Sequence, residues 1–91
     1  DRALIKAVAR AHNWFDDLLN GRVASLREIA RIEGFTPRYV SNLFPLVFLA
    51  PDIVEAILNG TQPPDLTLER LIRQIDLPHD WSEQRSILGF D

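Results

Sequence analysis

Between Ser25 and Leu43 the chain reads Ser-Leu-Arg-Glu-Ile-Ala-Arg-Ile-Glu-Gly-Phe-Thr-Pro-Arg-Tyr-Val-Ser-Asn-Leu, and this run constrains the fold more than any other. Ser25 and Glu28 have the Ser-x-x-Glu spacing of a capping box, so a helix starts there. Ile29 and Ala30 form its inner face, and the small Ala30 lets a second helix cross closely. Gly34 ends the helix, because without a Cβ it can take the left-handed backbone of an abrupt stop. Phe35 is expected to plug the corner. Thr36 can cap the next helix through its hydroxyl, Pro37 is pre-set for the first helical position, and Val40 and Leu43 return to the core three residues apart. Arg38, Tyr39, Ser41 and Asn42 are left facing outward.

The remaining segments also read as helices. Arg2 to Asn20 carries Leu4, Ala7, Val8, Ala11, Phe15, Leu18 and Leu19 at helical period, with Trp14 beside the stripe and Asn20-Gly21 as the stop. Pro45 is expected to end the helix begun at Pro37 near Leu43 or Phe44, since it lacks an N–H and biases its neighbour away from helical angles. Leu46 to Ala50 is then an apolar connection. Pro51 opens a fourth helix with Asp52 and Glu55 near its positive end, Ile53, Val54, Ile57 and Leu58 as its apolar face, and Asn59-Gly60 as its stop. After a stiff loop holding Pro63 and Pro64, Thr67 caps a fifth helix with Leu68, Leu71, Ile72 and Ile75 inward, broken by Leu77-Pro78. Asp80 and Glu83 form another capping box for a last helix, with Trp81, Ile87 and Leu88 inward and Gly89-Phe90 as its C-terminal cap. No segment alternates with period two. The expected fold is all-α, a compact bundle of about five to six short helices in a single domain over residues 1–91.

Charge divides unevenly along this chain. Residues 1–50 hold seven Lys and Arg against five acids, whereas residues 51–91 hold three against eight. The positive half contains the paired helices at 25–44. Net charge is −3, a poor basis for stand-alone binding to a polyanion, so the asymmetry implies one face for nucleic acid and further basic surface from a partner or another domain. No apolar run approaches the roughly 20 residues of a membrane span, which argues against a membrane partner. With no cysteine there is neither a disulfide framework nor a thiolate zinc site, as fits a cytoplasmic protein. His12 and His79 lack neighbouring ligands, and no metal or other cofactor is expected.

Catalytic patterns are missing too. There is no glycine-rich phosphate loop, no Gly-x-Ser-x-Gly elbow and no His-Glu-x-x-His. Asp16 and Asp17 point different ways on a helix, and Ser25, Ser41, Ser82 and Ser86 have no histidine nearby in sequence. This stretch of chain is therefore not expected to be an enzyme, and with no initiator residue at Asp1 it reads as a domain excised from a longer protein.

What the pattern does support is a DNA-reading helix-turn-helix over residues 25–44. A polar, Arg- and Asn-bearing face at the start of the second helix suits the major groove. Arg38 would pair with guanine or phosphate, Asn42 and Ser41 would bond base edges or backbone, and Tyr39 would contact phosphate or stack on sugar. Ser25, Arg27 and the amides opening the first helix of the pair would grip the backbone, with Thr36 and Pro37 presenting the second. Glu33, just before the turn glycine, occupies a place that is often apolar and must reach solvent or an arginine.

Beyond the helix pair, the string Phe48-Leu49-Ala50-Pro51-Asp52-Ile53-Val54-Glu55-Ala56-Ile57-Leu58-Asn59-Gly60-Thr61-Gln62-Pro63-Pro64-Asp65-Leu66-Thr67-Leu68 resembles the C-terminal region of bacterial serine (resolvase/invertase-type) site-specific recombinases. Leu77-Pro78-His79-Asp80-Trp81-Ser82-Glu83-Gln84-Arg85 and Leu88-Gly89-Phe90 resemble the same tail. The likeness covers nearly everything from Trp14 onward. It implies that the intact protein joins or resolves DNA through a catalytic serine in a domain absent here, so no nucleophile is carried onto this chain. The helix pair is also similar to that of the ParB and KorB partition proteins, and both likenesses place Thr36 to Asn42 at the DNA. Expected partners are double-stranded DNA, the catalytic domain of the same chain and, in the full-length protein, a second copy. The alternatives are a partition or transcription regulator, or a protein-interaction module in which the helix pair is scaffold. A basic surface over Arg22, Arg27, Arg31 and Arg38 favours DNA; an exposed apolar patch around Phe48, Leu49 and Trp81 favours a protein partner.

Overall fold

A computed structural model describes residues 2–73 and 77–90 of the chain and is all-helical, with no strand among the described residues. In chain order the helices are α1 (Arg2–Leu19), α2 (Leu26–Glu33), α3 (Pro37–Leu43), a 3-10 helix (Phe44–Phe48), α4 (Pro51–Asn59), α5 (Leu68–Arg73) and α6 (Trp81–Leu88). They gather into two compact units, Ala7–Val47 and Asp1–Lys6 with Phe48–Asp91.

In the unit Ala7–Val47, α1 supplies Ala7, Val8, Ala11 and Trp14 to a core shared with Ile29, Ala30, Val40, Leu43 and Leu46. The buried stripe of α1 differs from the expected one at its C-terminal end. Trp14 is only 1% exposed, whereas Leu19 is 69% exposed, and Phe15 and Leu18 are half-buried. The α2–α3 turn explains the shift, because it packs on the Trp14 flank: the Trp14 and Phe35 rings meet edge to face at 6.3 Å. Leu19 lies beyond that cover. Ser25 caps α2 by accepting from Glu28 N at 3.1 Å, and Thr36 caps α3 by accepting from Tyr39 N at 3.1 Å. The α-helix begun at Pro37 ends at Leu43, as expected, and the chain continues as a 3-10 helix in which Pro45 stands in the first turn, where an N–H has no partner within that helix.

In the unit Asp1–Lys6 with Phe48–Asp91, Leu4, Leu49, Ala50, Ile53, Ile57, Leu66, Leu71 and Leu88 are buried. The buried polar residue here is Gln84, 0% exposed. Its Oε1 accepts from Ala50 N at 2.8 Å, and its Nε2 donates to the carbonyls of Phe48 at 3.1 Å and Pro78 at 2.8 Å. Ala50, the residue before α4, has no capping side chain of its own. Gln84 therefore satisfies an amide that the local sequence leaves without a partner. It also takes an inward position on α6 together with Leu88, one turn on, which corrects the expectation that Trp81, Ile87 and Leu88 all face inward. Trp81 is 48% and Ile87 46% exposed. Leu58, assigned to the apolar face of α4, is likewise half exposed, since Ile53 and Ile57 define that face. Ile75, expected at the end of the α5 face, lies outside the described residues.

Asp80 caps α6 by accepting from Ser82 N. The Arg85 guanidinium donates to both Asp52 oxygens, at 2.8 and 3.0 Å, tying α6 to the first turn of α4. Through those hydrogen bonds Arg85 holds the Asp52 carboxyl below its ordinary range.

Two outcomes are expected. Gln84→Leu should destabilise the fold by about 1–3 kcal/mol or more, because it leaves a buried amide and carbonyls without partners; chemical denaturation measures it, and an unchanged midpoint would contradict the clamp. The Asp52 carboxyl, with its folded-state pKa depressed, contributes stability that is present above the ordinary carboxylate value and is lost as pH falls through the lowered one. The difference in melting temperature between wild type and Asp52→Asn should therefore close below about pH 4, in melts recorded from neutral to strongly acid pH.

Candidate nucleic-acid interface

The α2–α3 pair is organised by its turn. Gly34 takes φ +76°, and its amide and that of Phe35 both return to the Ala30 carbonyl, closing the end of α2 so that α3 begins three residues after the glycine. A Cβ at Gly34 would meet nothing within 4 Å, so glycine is required there by backbone conformation and not by space.

Around this turn stands a connected set of side chains. Glu33 is exposed, so its carboxylate reaches solvent as expected, and it also accepts from Trp14 Nε1 at 2.8 Å. The Phe35 ring lies 4.7 Å from that of Tyr39. The Arg10 guanidinium sits 5.0 Å above the Phe35 ring and donates from Nη1 to the Tyr39 hydroxyl at 3.1 Å. Phe35 is thus half-buried between rings and a cation.

Each sequence-assigned residue can now be placed. Arg38, Ser41 and Asn42 are exposed on α3, opposite buried Val40 and Leu43. Arg38 and Asn42, four residues apart, share one stripe. Thr36 and Pro37 are exposed at its start. Tyr39 departs from the expected outward position, being half-buried with its ring on Phe35 and its hydroxyl on Arg10. On α2, Ser25 and Arg27 are exposed, and Arg31, one turn after Arg27, is exposed on the same side. The Ser25 and Thr36 oxygens accept from backbone amides, which leaves each hydroxyl proton to donate outward.

The electrostatics are narrower than the sequence suggests. Arg22 donates to Asp17 at 2.8 Å and Asp16 at 2.6 Å, and these partners, Asp17 foremost, raise its pKa further above its ordinary value. Its charge is neutralised where it stands. Arg27, Arg31 and Arg38 remain as exposed cations outside any ion pair among the described residues. Leu49, assigned to an apolar patch, is buried, while Phe48 and Trp81 are about half exposed.

Sequence reasoning missed Arg10 and the reach of Trp14. The available signal was the four-residue spacing of Arg10 and Trp14, which places them on one flank of α1, but Phe35, Tyr39 and Glu33 become their partners only through the tertiary fold. No known family model, curated protein or solved structure matches the chain.

Removing the Glu33 acceptor should leave the buried Trp14 N–H without a partner. Glu33→Ala is expected to cost about 1–3 kcal/mol, and the loss should be much smaller in a Trp14→Phe background, where no N–H needs satisfying. A double-mutant cycle by thermal or chemical unfolding measures this coupling, and additive losses would contradict it.

Proposed function

We propose that the chain is a sequence-specific DNA-binding domain whose α2 and α3 form a helix-turn-helix, with α3 entering the major groove. One observation carries this: the exposed face of α3 holds Arg38, Ser41 and Asn42, the side-chain types that bond base edges and phosphates, directly opposite the face that folds the helix. Recognition residues on that face are free of folding duties. Arg27 and Arg31 on α2, exposed and outside any ion pair among the described residues, are suited to phosphate oxygens beside the groove. Ser25 and Thr36 add hydroxyl donors at the starts of the two helices, and Pro37 fixes the first turn of α3.

The intact protein is proposed to be a serine site-specific recombinase, on the strength of the Leu-Ala-Pro-Asp-Ile-Val and Asp-Trp-Ser-Glu-Gln-Arg strings; in that setting the catalytic serine belongs to another domain and this one delivers it to its site. A partition or transcription regulator would use the same surface on DNA. The partners proposed are double-stranded DNA, the catalytic domain of the same chain and a second copy of the full-length protein. The chain needs no cofactor for this role.

The test begins with selection of bound duplexes from a random-sequence pool, followed by titration of the selected site. Arg38→Ala and Asn42→Ala should each weaken binding by roughly 1–3 kcal/mol if each reads a base, yet shift folding stability by no more than about 0.5 kcal/mol. Arg2→Ala, exposed near the start of α1, serves as the control. Equal losses from Arg38→Ala and Arg2→Ala would overturn the assignment of the face, and so would enrichment of no sequence at all.

A further inference from the structure

Arg10 is the one basic side chain of the unit Ala7–Val47 that is fixed in place by aromatic partners. Its guanidinium lies 5.0 Å above the Phe35 ring, and Nη1 donates to the Tyr39 hydroxyl at 3.1 Å. An arginine stacked on a ring gives up little further freedom when it binds an anion, because its planar fork is already oriented. It has five N–H donors and commits one of them to Tyr39. The Tyr39 oxygen, having accepted from a cation, keeps its own proton to donate, and a hydroxyl polarised in this way is the stronger donor. Tyr39 lies one residue after Arg38, at the start of the proposed recognition helix.

We propose that Arg10 and Tyr39 form a composite phosphate clamp, in which α1 as well as the α2–α3 pair contacts the DNA backbone. The Tyr39 hydroxyl donates to one phosphate oxygen, and the remaining guanidinium donors of Arg10 neutralise the same or the adjacent phosphate. Phe35 is the platform that holds the arginine in register. This assignment rests on the DNA-binding proposal and adds to it a contact from a helix outside the α2–α3 pair. It also gives the half-buried placement of Tyr39 a purpose. A phosphate contact positions the domain without reading sequence, so its loss should appear equally on any duplex.

The experiment titrates a labelled duplex carrying the selected site, and a scrambled duplex of equal length, against wild type, Arg10→Ala, Arg10→Lys, Tyr39→Phe and Arg38→Ala over a series of salt concentrations. Arg10→Ala should weaken binding about five- to twenty-fold on both duplexes and lower the slope of log affinity against log salt by about one. Tyr39→Phe keeps the ring on Phe35 and should weaken binding about two- to five-fold on both duplexes with the slope retained, because it removes a neutral donor. Arg10→Lys should keep the slope but recover only part of the affinity, since a lysine has the charge without the stacked fork. Circular dichroism melts of each variant separate a folding defect from a binding one, and if Arg10→Ala does not fold, Arg10→Lys and Tyr39→Phe decide the matter. If Arg38→Ala weakens the selected site while Tyr39→Phe and the Arg10 variants leave affinity and slope unchanged, the clamp is wrong and the recognition face stands. If wild type binds neither duplex, both proposals fall.

Discussion

The buried indole of Trp14 is the group on which the α2–α3 arrangement depends. A tryptophan in a core brings a large apolar surface and one N–H that has lost its water, and that donor must find an acceptor. It finds Glu33 at 2.8 Å, on the residue just before the turn glycine. The hydrogen bond therefore ties the middle of α1 to the end of α2 at the point where the chain reverses. From there the ring contacts run outward through Phe35 to Tyr39 and return to α1 at Arg10. The exposed face of α3 is held in orientation by this circuit, not by propensity: a helix of 7 residues is well below the length at which isolated helices persist in water.

Much of this fold was legible in the sequence because its boundaries are set by local chemistry. Ser25, Thr36, Asp80, Gly34, Gly60, Gly89, Pro37 and Pro51 all act where the chain reads them, through hydroxyl or carboxylate caps, left-handed glycines and proline at the first helical position. These effects act over three or four residues and need no knowledge of the rest of the molecule. What escaped was set by partners distant in sequence. Trp14 displaced Leu19 from the buried stripe because the turn packs on one flank of α1. Gln84 escaped because a search for inward positions looks for apolar residues, while this one is buried for its three bonds to backbone atoms of Phe48, Ala50 and Pro78. In the candidate site, the exposed positions of Arg38, Ser41 and Asn42 followed from the period of α3 alone. Tyr39 did not, since its placement depends on an arginine 29 residues earlier.

Charge organises the surface by pairing as much as by count. Of the arginines in the first half of the chain, Arg22 is spent on Asp16 and Asp17 and Arg10 is engaged with Phe35 and Tyr39, which leaves Arg27, Arg31 and Arg38 as the freely exposed cations of α2 and α3. Intramolecular ion pairs thus focus a modest positive excess onto two short helices. In the other unit Arg85 and Arg70 are bound to Asp52 and Asp65, so its acidic excess is spread over the remaining carboxylates. The two units thus carry charge excesses of opposite sign, positive on Ala7–Val47 and negative on the other.

Each unit holds one of the two tryptophans: Trp14 sealed from solvent with its N–H bonded to a carboxylate, and Trp81 with nearly half its surface in water. The two fluorophores consequently report on different halves of the molecule without any label. A neutral quencher reaches Trp81 and not Trp14, and the emission of a sheltered indole lies to the blue of a hydrated one. Opening of either unit would thus have its own optical signature, with a red shift and new quenching for the unit built on α2 and α3, and a change confined to the already quenchable component for the other. The protein is thereby able to show in a cuvette whether its halves unfold together or in turn.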